Sequence, residues 1–372
     1  MMGQRDCISR RQTVALAFVS LLSPLIRRFP RVLAATAGRT AWLSALFTAL
    51  PAAALFALLC RIARHRGGFS ALLCDTLGPL PGRALTLLYA LWMLFYAGFL
   101  LRSGAVRFVS TVYPGAGPWV FIAVSALACT LAALGSLRAL ARTAMILRPL
   151  LLAVPAAAVL LALRDLDPAA LLPVTAADLL PNGCAALQTL NVLSVVFYLL
   201  FLGERVEGRL RVRDWALWGA VLLVLLGAMT ACCIGLFGPE LTAKLSFPFF
   251  MLVRDVNVLG SLERAEPVVI ALWVFSDFVL TALLLQLAGN SLRFCFGWEA
   301  TDAAPRLRDL SHGRWLIPLC AGLATAVGLS VAPDAASFAR FSETIVPLGN
   351  ALMVFVLPLP ALAVALVRKK NA

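Results

Sequence analysis

Apolar runs close to the length of a bilayer crossing recur along the whole sequence. They lie at about residues 12–35, 41–62, 84–110, 118–134, 143–163, 183–202, 215–237, 267–290, 315–331 and 344–367. Crossing about 30 Å of hydrocarbon takes roughly 20 helical residues, and a helix in lipid satisfies its own backbone hydrogen bonds. Short polar turns with Gly or Pro separate the runs, such as Arg66-Gly67-Gly68. Hydrophobic residues make up 62% of the chain and charged residues 13%, against about 45–50% and about 25% in a soluble domain. That surplus of apolar surface is too large for a water-soluble core to hide. The expectation is an all-α integral membrane protein of about ten transmembrane helices, with residues 1–372 forming a single permease-like domain.

The net charge is +14, from 32 Lys and Arg against 18 Asp and Glu. In a membrane protein basic residues gather in cytoplasmic loops and hold the topology. With the N-terminus inside, the inner segments carry dense groups such as Arg61, Arg64, Arg66 and Arg83, or Arg205, Arg209, Arg211 and Arg213. The outer segments hold only Arg39, Arg164, Lys244, Arg254, Arg264 and Arg340. This asymmetry predicts both termini on the cytoplasmic side, since one helix miscounted in the middle would reverse half of the loops. The outer stretch at about 238–266 mixes charges with Phe247-Pro248-Phe249-Phe250, and so is expected to pack back over the outer mouth. No basic stripe with interleaved aromatics lies outside the apolar runs, which argues against a nucleic-acid partner.

Nine cysteines include no C-x-x-C, and most fall inside apolar runs, where a free thiol acts as a small hydrophobe. His65 and His312 are the two histidines, both in charged loops. Zinc chemistry, a His-based triad and a cofactor-bearing enzyme site are therefore not expected. At the N-terminus, Arg10-Arg11 before an apolar run imitates a twin-arginine signal, and Ala35-Thr36-Ala37 imitates a cleavage site. Arg27, Arg28 and Pro30 interrupt that supposed signal, so the run is read as the first membrane helix.

Ten helices suit two inverted five-helix repeats, about 12–163 and 183–367, in which the first helix of each half is broken and lines a midplane site. In segment one, Pro24 removes an N–H and crowds the preceding turn, so a break is expected near Ser20, Ser23 and Pro24. The freed backbone groups would be open to a ligand, or the proline is a plain kink. In segment six, Gln188, Asn191, Ser194 and Tyr198 fall within an arc of about 120°. Such a stripe lines a ligand path or bonds neighbouring helices. Asp277 lies near mid-membrane in segment eight, with Ser276 beside it and Thr281 one turn on, and Arg102 lies in segment three. A charge at a helix centre costs about 2.5–3.5 kcal/mol on insertion scales, and such residues mark pathways or pairs. Asp277 is expected to be a proton or cation handle, with Arg102 pairing with it or with a ligand carboxylate. Arg27 and Arg28 must snorkel or face a watery vestibule.

The sequence resembles the spore germination permeases, the B subunits of nutrient germinant receptors, within the amino acid–polyamine–organocation transporter superfamily. Ile8-Ser9-Arg10-Arg11-Gln12 is similar to that family's opening IS-x-x-Q. Pro30 followed by Ala37-Gly38-Arg39-Thr40-Ala41-Trp42-Leu43-Ser44 is similar to its P…AG-x-x-AW-L-S stretch, and Leu171-Leu172-Pro173-Val174 to its LLPV. Phe247-Pro248-Phe249, Arg254, Glu263-Arg264-Ala265-Glu266 and Trp273 follow its FP…R…ER-x-E…W pattern, and Pro358-Leu359-Pro360 with the basic tail fits its end. The resemblance implies a LeuT-like fold with broken helices 1 and 6. It further implies a small nutrient ligand such as an amino acid, partnership with an A subunit and a C-subunit lipoprotein, and residence in the spore inner membrane or bacterial plasma membrane. An ordinary proton-coupled amino acid transporter is the alternative. Three places depart from the family: Leu21-Leu22-Ser23-Pro24 lacks the usual glycine, Arg27-Arg28 stand where apolar residues are common, and Ser103 stands after Arg102 where an acid is common.

Overall fold

A computed structural model describes residues 6–65, 67–113, 115–255, 266–297, 315–331 and 335–370. The Glu263-Arg264-Ala265 part of the motif above and His312 lie outside the described residues. Among those described, seven helical runs are long and apolar enough to cross a membrane. The first, Arg10–Ile62, contains two helices, α1 (Arg10–Ala37) and α2 (Ser44–Ile62), joined by a 3-10 turn at Gly38–Leu43. The others are α4 (Pro79–Thr111), α6 (Leu137–Ala162), α7 (Leu179–Leu193) with its continuation, α8 (Val212–Lys244), α10 (Glu266–Cys295) and a final composite helix. Two shorter apolar helices, α5 (Pro118–Leu134) and α11 (Leu316–Ser330), complete the expected series. A short helix α3 (Gly68–Leu77) precedes α4, and α9 (Pro248–Asp255) lies between α8 and α10.

α1 is the axis of the bundle. Its side chains are buried without interruption from Thr13 to Arg27, because α8, α6, α10 and α7 all pack around it. The N-terminal motif has a plain physical role. Ser9 accepts from the Gln12 N–H at 3.3 Å while Gln12 accepts from the Ser9 N–H at 2.8 Å, a capping box that starts α1. The arginine pair at Arg10-Arg11 is thus the first helical turn, and Arg10 bonds Asp214 of α8 at 2.8 Å. Just before it, β1 (Ile8–Ser9) pairs in parallel with β2 (Val206–Glu207), and Asp6 caps α6 by accepting from the N–H groups of Leu137 and Arg138.

Segment six changes form where its polar stripe ends. From Ser194 to Arg205 the α-helix tightens into a 3-10 helix, and Gly203 turns at a positive φ of 55°. A Cβ on Gly68 would stand 2.6 Å from the Gly203 Cα, so α3 and this turn meet backbone to backbone through two glycines. The last passage is composite: α12 (Ala335–Arg340), a π-turn at Phe341–Ile345, α13 (Val346–Ala351), a second π-turn at Leu352–Val356, and α14 (Pro358–Lys370). The described part of the 238–266 stretch, as far as residue 255, packs inward, as its apolar content predicts. Phe249, Phe250, Leu252 and Val253 of α9 are buried, and the Phe247 and Phe250 rings lie 5.8 and 5.6 Å from that of Trp273.

Candidate functional site

The expected break in segment one takes a subtler form: α1 continues as one helix through Pro24. A side chain from another helix joins one rung. The hydroxyl of Ser276, from α10, donates to the Val19 carbonyl at 2.5 Å and accepts from the Ser23 N–H at 2.9 Å. Those two backbone groups are the i and i+4 partners of an ordinary helix. Pro24 has no N–H to offer the next carbonyl, which makes this turn the place where a neighbouring hydroxyl can enter.

Around this splice the fold gathers charge. Asp277 follows Ser276, and its Oδ2 accepts from Arg107 of α4. Arg107 also donates to the Ser103 carbonyl at 3.2 Å and to the Ser23 hydroxyl at 3.4 Å, while its guanidinium lies 5.6 Å from the Trp273 ring centre. Arg27 reaches in from α1 and donates to the Ser103 hydroxyl at 2.6 Å. Arg27, Arg107 and Asp277 are 7%, 5% and 9% exposed, so this cluster of two cations and one anion carries one uncompensated positive charge out of water. Buried charges are stable only when paired and hydrogen-bonded. Here the Oδ1 of Asp277 and the Nε of Arg27 are both buried with no hydrogen-bond partner among the described residues. One acceptor and one donor thus stand open beside an excess cation.

Ser23, Ser276 and Asp277 come together here, with Thr281 one turn below on a shared cavity wall. The arginine partner is corrected: Asp277 is held by Arg107, not by Arg102. Five residues separate the two, which turns them about 140° apart on the helix, and Arg102 is buried on another face of α4. Arg27 and Arg28 are separated likewise. Arg27 points into the centre, whereas Arg28 donates to the Ser342 hydroxyl and, at 2.6 Å, to Glu343 in the π-turn of the last helix. Neither snorkels to water.

The remaining sequence candidates lie outside this charged cluster. Ser20 and Tyr198 border a gap of about 10 Å³ between α1, segment six and α10. The Tyr198 hydroxyl donates to Asn350 Oδ1 at 2.9 Å, which also accepts from Trp92 Nε1 at 3.0 Å. Asn191 donates to the Pro347 carbonyl at 2.7 Å, Ser194 to the Asn191 carbonyl at 2.6 Å, and exposed Gln188 accepts from Thr36 at 3.2 Å. Sequence reasoning missed Arg107, Ser103 and Trp273 in the charged centre. The signal for Arg107 was present, a second arginine inside an apolar run, but only the crossing of α4 over α10 selects it.

A family model described as "Spore germination protein" matches residues 7–302. The chain belongs to the spore germination protein family. Its match begins at the residues that build the capping box of α1 and runs past the end of α10. Among curated proteins none matches the chain. Among solved structures, a Na+-coupled sialic acid symporter in a substrate-bound outward-open state has the same fold, with a TM-score of 0.59. That similarity covers 92% of this chain and 79% of the symporter at 12% sequence identity. This spore germination protein is therefore an all-α membrane protein of permease architecture.

Proposed function

We propose that this protein is the membrane subunit of a spore nutrient-germinant receptor, and that it binds a small nutrient, an amino acid, at the Arg27–Arg107–Asp277 centre. The observation that carries the reading is the complementary pair of unpartnered atoms. The free carboxylate oxygen of Asp277 suits an ammonium group, and the open donor of Arg27 with the excess positive charge suits a carboxylate. The centre lies between α1, α4 and α10, and in a plan of two inverted repeats of about 12–163 and 183–367 it would stand at their interface. Ser276 links ligand to conformation: it adjoins the anion that would hold the ligand and bonds both backbone groups of one rung of α1. Binding would shift the equilibrium between arrangements of the bundle. An A subunit and a C-subunit lipoprotein in the spore inner membrane would read that shift.

Deleting the gene in its own host, then scoring nutrient-triggered loss of spore refractility beside vegetative uptake of labelled amino acids, tests the proposal. A germination defect confined to particular amino acids, with normal uptake, is the expected result, and Asp277→Asn should reproduce it. Lost uptake with normal germination would instead establish the proton-coupled transporter, for which buried Asp277 is the available proton carrier. An unchanged response in Asp277→Asn would remove this centre from either role.

A further inference from the structure

The charged centre opens on one side into a crevice of about 360 Å³ between α4, α5 and α10. Arg107 and Asp277 form part of its wall, with Thr111, Ser125 and Thr281 as its other polar side chains. The rest is apolar and in large part aromatic, from Leu101, Phe108, Phe121, Trp273 and Phe278. Trp273 is 2% exposed and its Nε1 is, like Asp277 Oδ1, buried without a hydrogen-bond partner among the described residues. The crevice therefore has two buried polar atoms left open, one accepting and one donating, beside an apolar channel.

We infer that this crevice is the side-chain pocket of the ligand, and that it selects amino acids with long aliphatic or aromatic side chains. The inference rests on the amino acid reading above and adds its specificity. An α-amino acid held as proposed above, its ammonium on Asp277 and its carboxylate on the excess positive charge of Arg27 and Arg107 beside Trp273 Nε1, directs its side chain along the crevice. A polar side chain there would give up its water without finding partners. A methyl group would leave most of the space empty, as ligand pockets of about 300–1,000 Å³ suit far larger groups. Among the described residues the crevice has no end wall. Val124 and Val274, which line it, are 63% and 36% exposed on the outer face of the bundle, so a longer chain continues towards the bilayer instead of meeting a stop.

The consequence is a length series without a cut-off. Each added methylene moved from water to the crevice is worth about fourfold in affinity. The test uses the full chain in lipid nanodiscs, with glycine, alanine, norvaline, norleucine, 2-aminooctanoate and phenylalanine titrated by calorimetry, and glutamate and octanoate as controls. A rise of about fourfold per methylene from alanine to norleucine, continuing to 2-aminooctanoate, is expected, with phenylalanine near norleucine and glutamate weakest. Gly104→Leu and Ser125→Leu fill the crevice from opposite walls and should flatten the series. A Cβ at Gly104 meets nothing nearer than Arg107 Nη2 at 3.8 Å, so the first needs no backbone movement. Alanine binding as tightly as norleucine overturns the inference and leaves the amino acid reading intact. Octanoate binding as tightly as 2-aminooctanoate makes the crevice a lipid-chain site and overturns it. Failure of every amino acid to bind rejects the amino acid reading and this inference together.

Discussion

Two polar regions packed around α1 are built from different chemistry. In one, Tyr198, Trp92 and Asn350 exchange neutral hydrogen bonds in close packing, and the gap beside Ser20 is about 10 Å³. In the other, Arg27, Arg107 and Asp277 meet beside a crevice of about 360 Å³, with polar atoms left open. Both regions satisfy the rule that polar groups at membrane depth face protein. They differ in charge. The first ties helices together through neutral hydrogen bonds, and Ser20 Oγ and Asn191 Oδ1 are its unpartnered atoms among the described residues; the second adds one positive charge to its open atoms, and that charge with the free carboxylate oxygen is what a ligand can complete. A polar stripe in a membrane helix thus says little until its partners are known.

The comparison breaks most directly at Asp277. Asp277→Ala leaves two buried guanidinium groups without an anion, and removing one partner of a buried pair costs about 3–5 kcal/mol. A large drop in thermal unfolding temperature in detergent is expected, partly restored when Arg107→Leu is added. Equal stability of the single and double variants would mean that the pair is not the organising contact.

Asn350→Ala should come next. It leaves the Trp92 N–H and the Tyr198 hydroxyl without their shared acceptor, for about 1–3 kcal/mol. Because this region is read as structural, ligand affinity of the folded fraction should stay within about twofold, against a much larger loss for Asp277→Asn.

Ser276→Ala sharpens the difference from the site's side. Val19 and Ser23 can then bond each other without it, so stability should change by no more than about 1 kcal/mol. Affinity or response should change more than stability does, and hydrogen exchange at Ser23 should slow as the rung tightens. Faster exchange there would show that the hydroxyl supports the helix instead of loosening it.

The smallest effect is expected at Glu343, whose side chain is 46% exposed opposite Arg28. Glu343→Gln should cost about 0–1 kcal/mol, as half-exposed ion pairs do, and salt should erase the difference in unfolding temperature.

The ten apolar runs, the Ser9–Gln12 cap and the inward packing of the Phe247–Phe250 stretch are local or compositional matters. Hydrophobic length, capping chemistry and burial of an apolar loop act wherever the chain goes, so the sequence alone determined the fold class and the approximate place of each helix, although α6 begins at Leu137, α8 ends at Lys244 and the last passage begins at Ala335, each well outside its apolar run. The identity of Asp277's partner could not be read that way. Arg27, Arg28, Arg102 and Arg107 all lie in apolar runs, and the choice among them depends on which 100° sector of α1 or α4 faces α10. Only helix packing sets that sector. The same packing brought Ser276 to the rung beside Pro24 and turned the segment-six stripe towards Asn350 and Pro347. The proline made that turn open to a neighbouring hydroxyl, and the tertiary structure decided which one enters, because it comes from a helix more than 250 residues away in sequence.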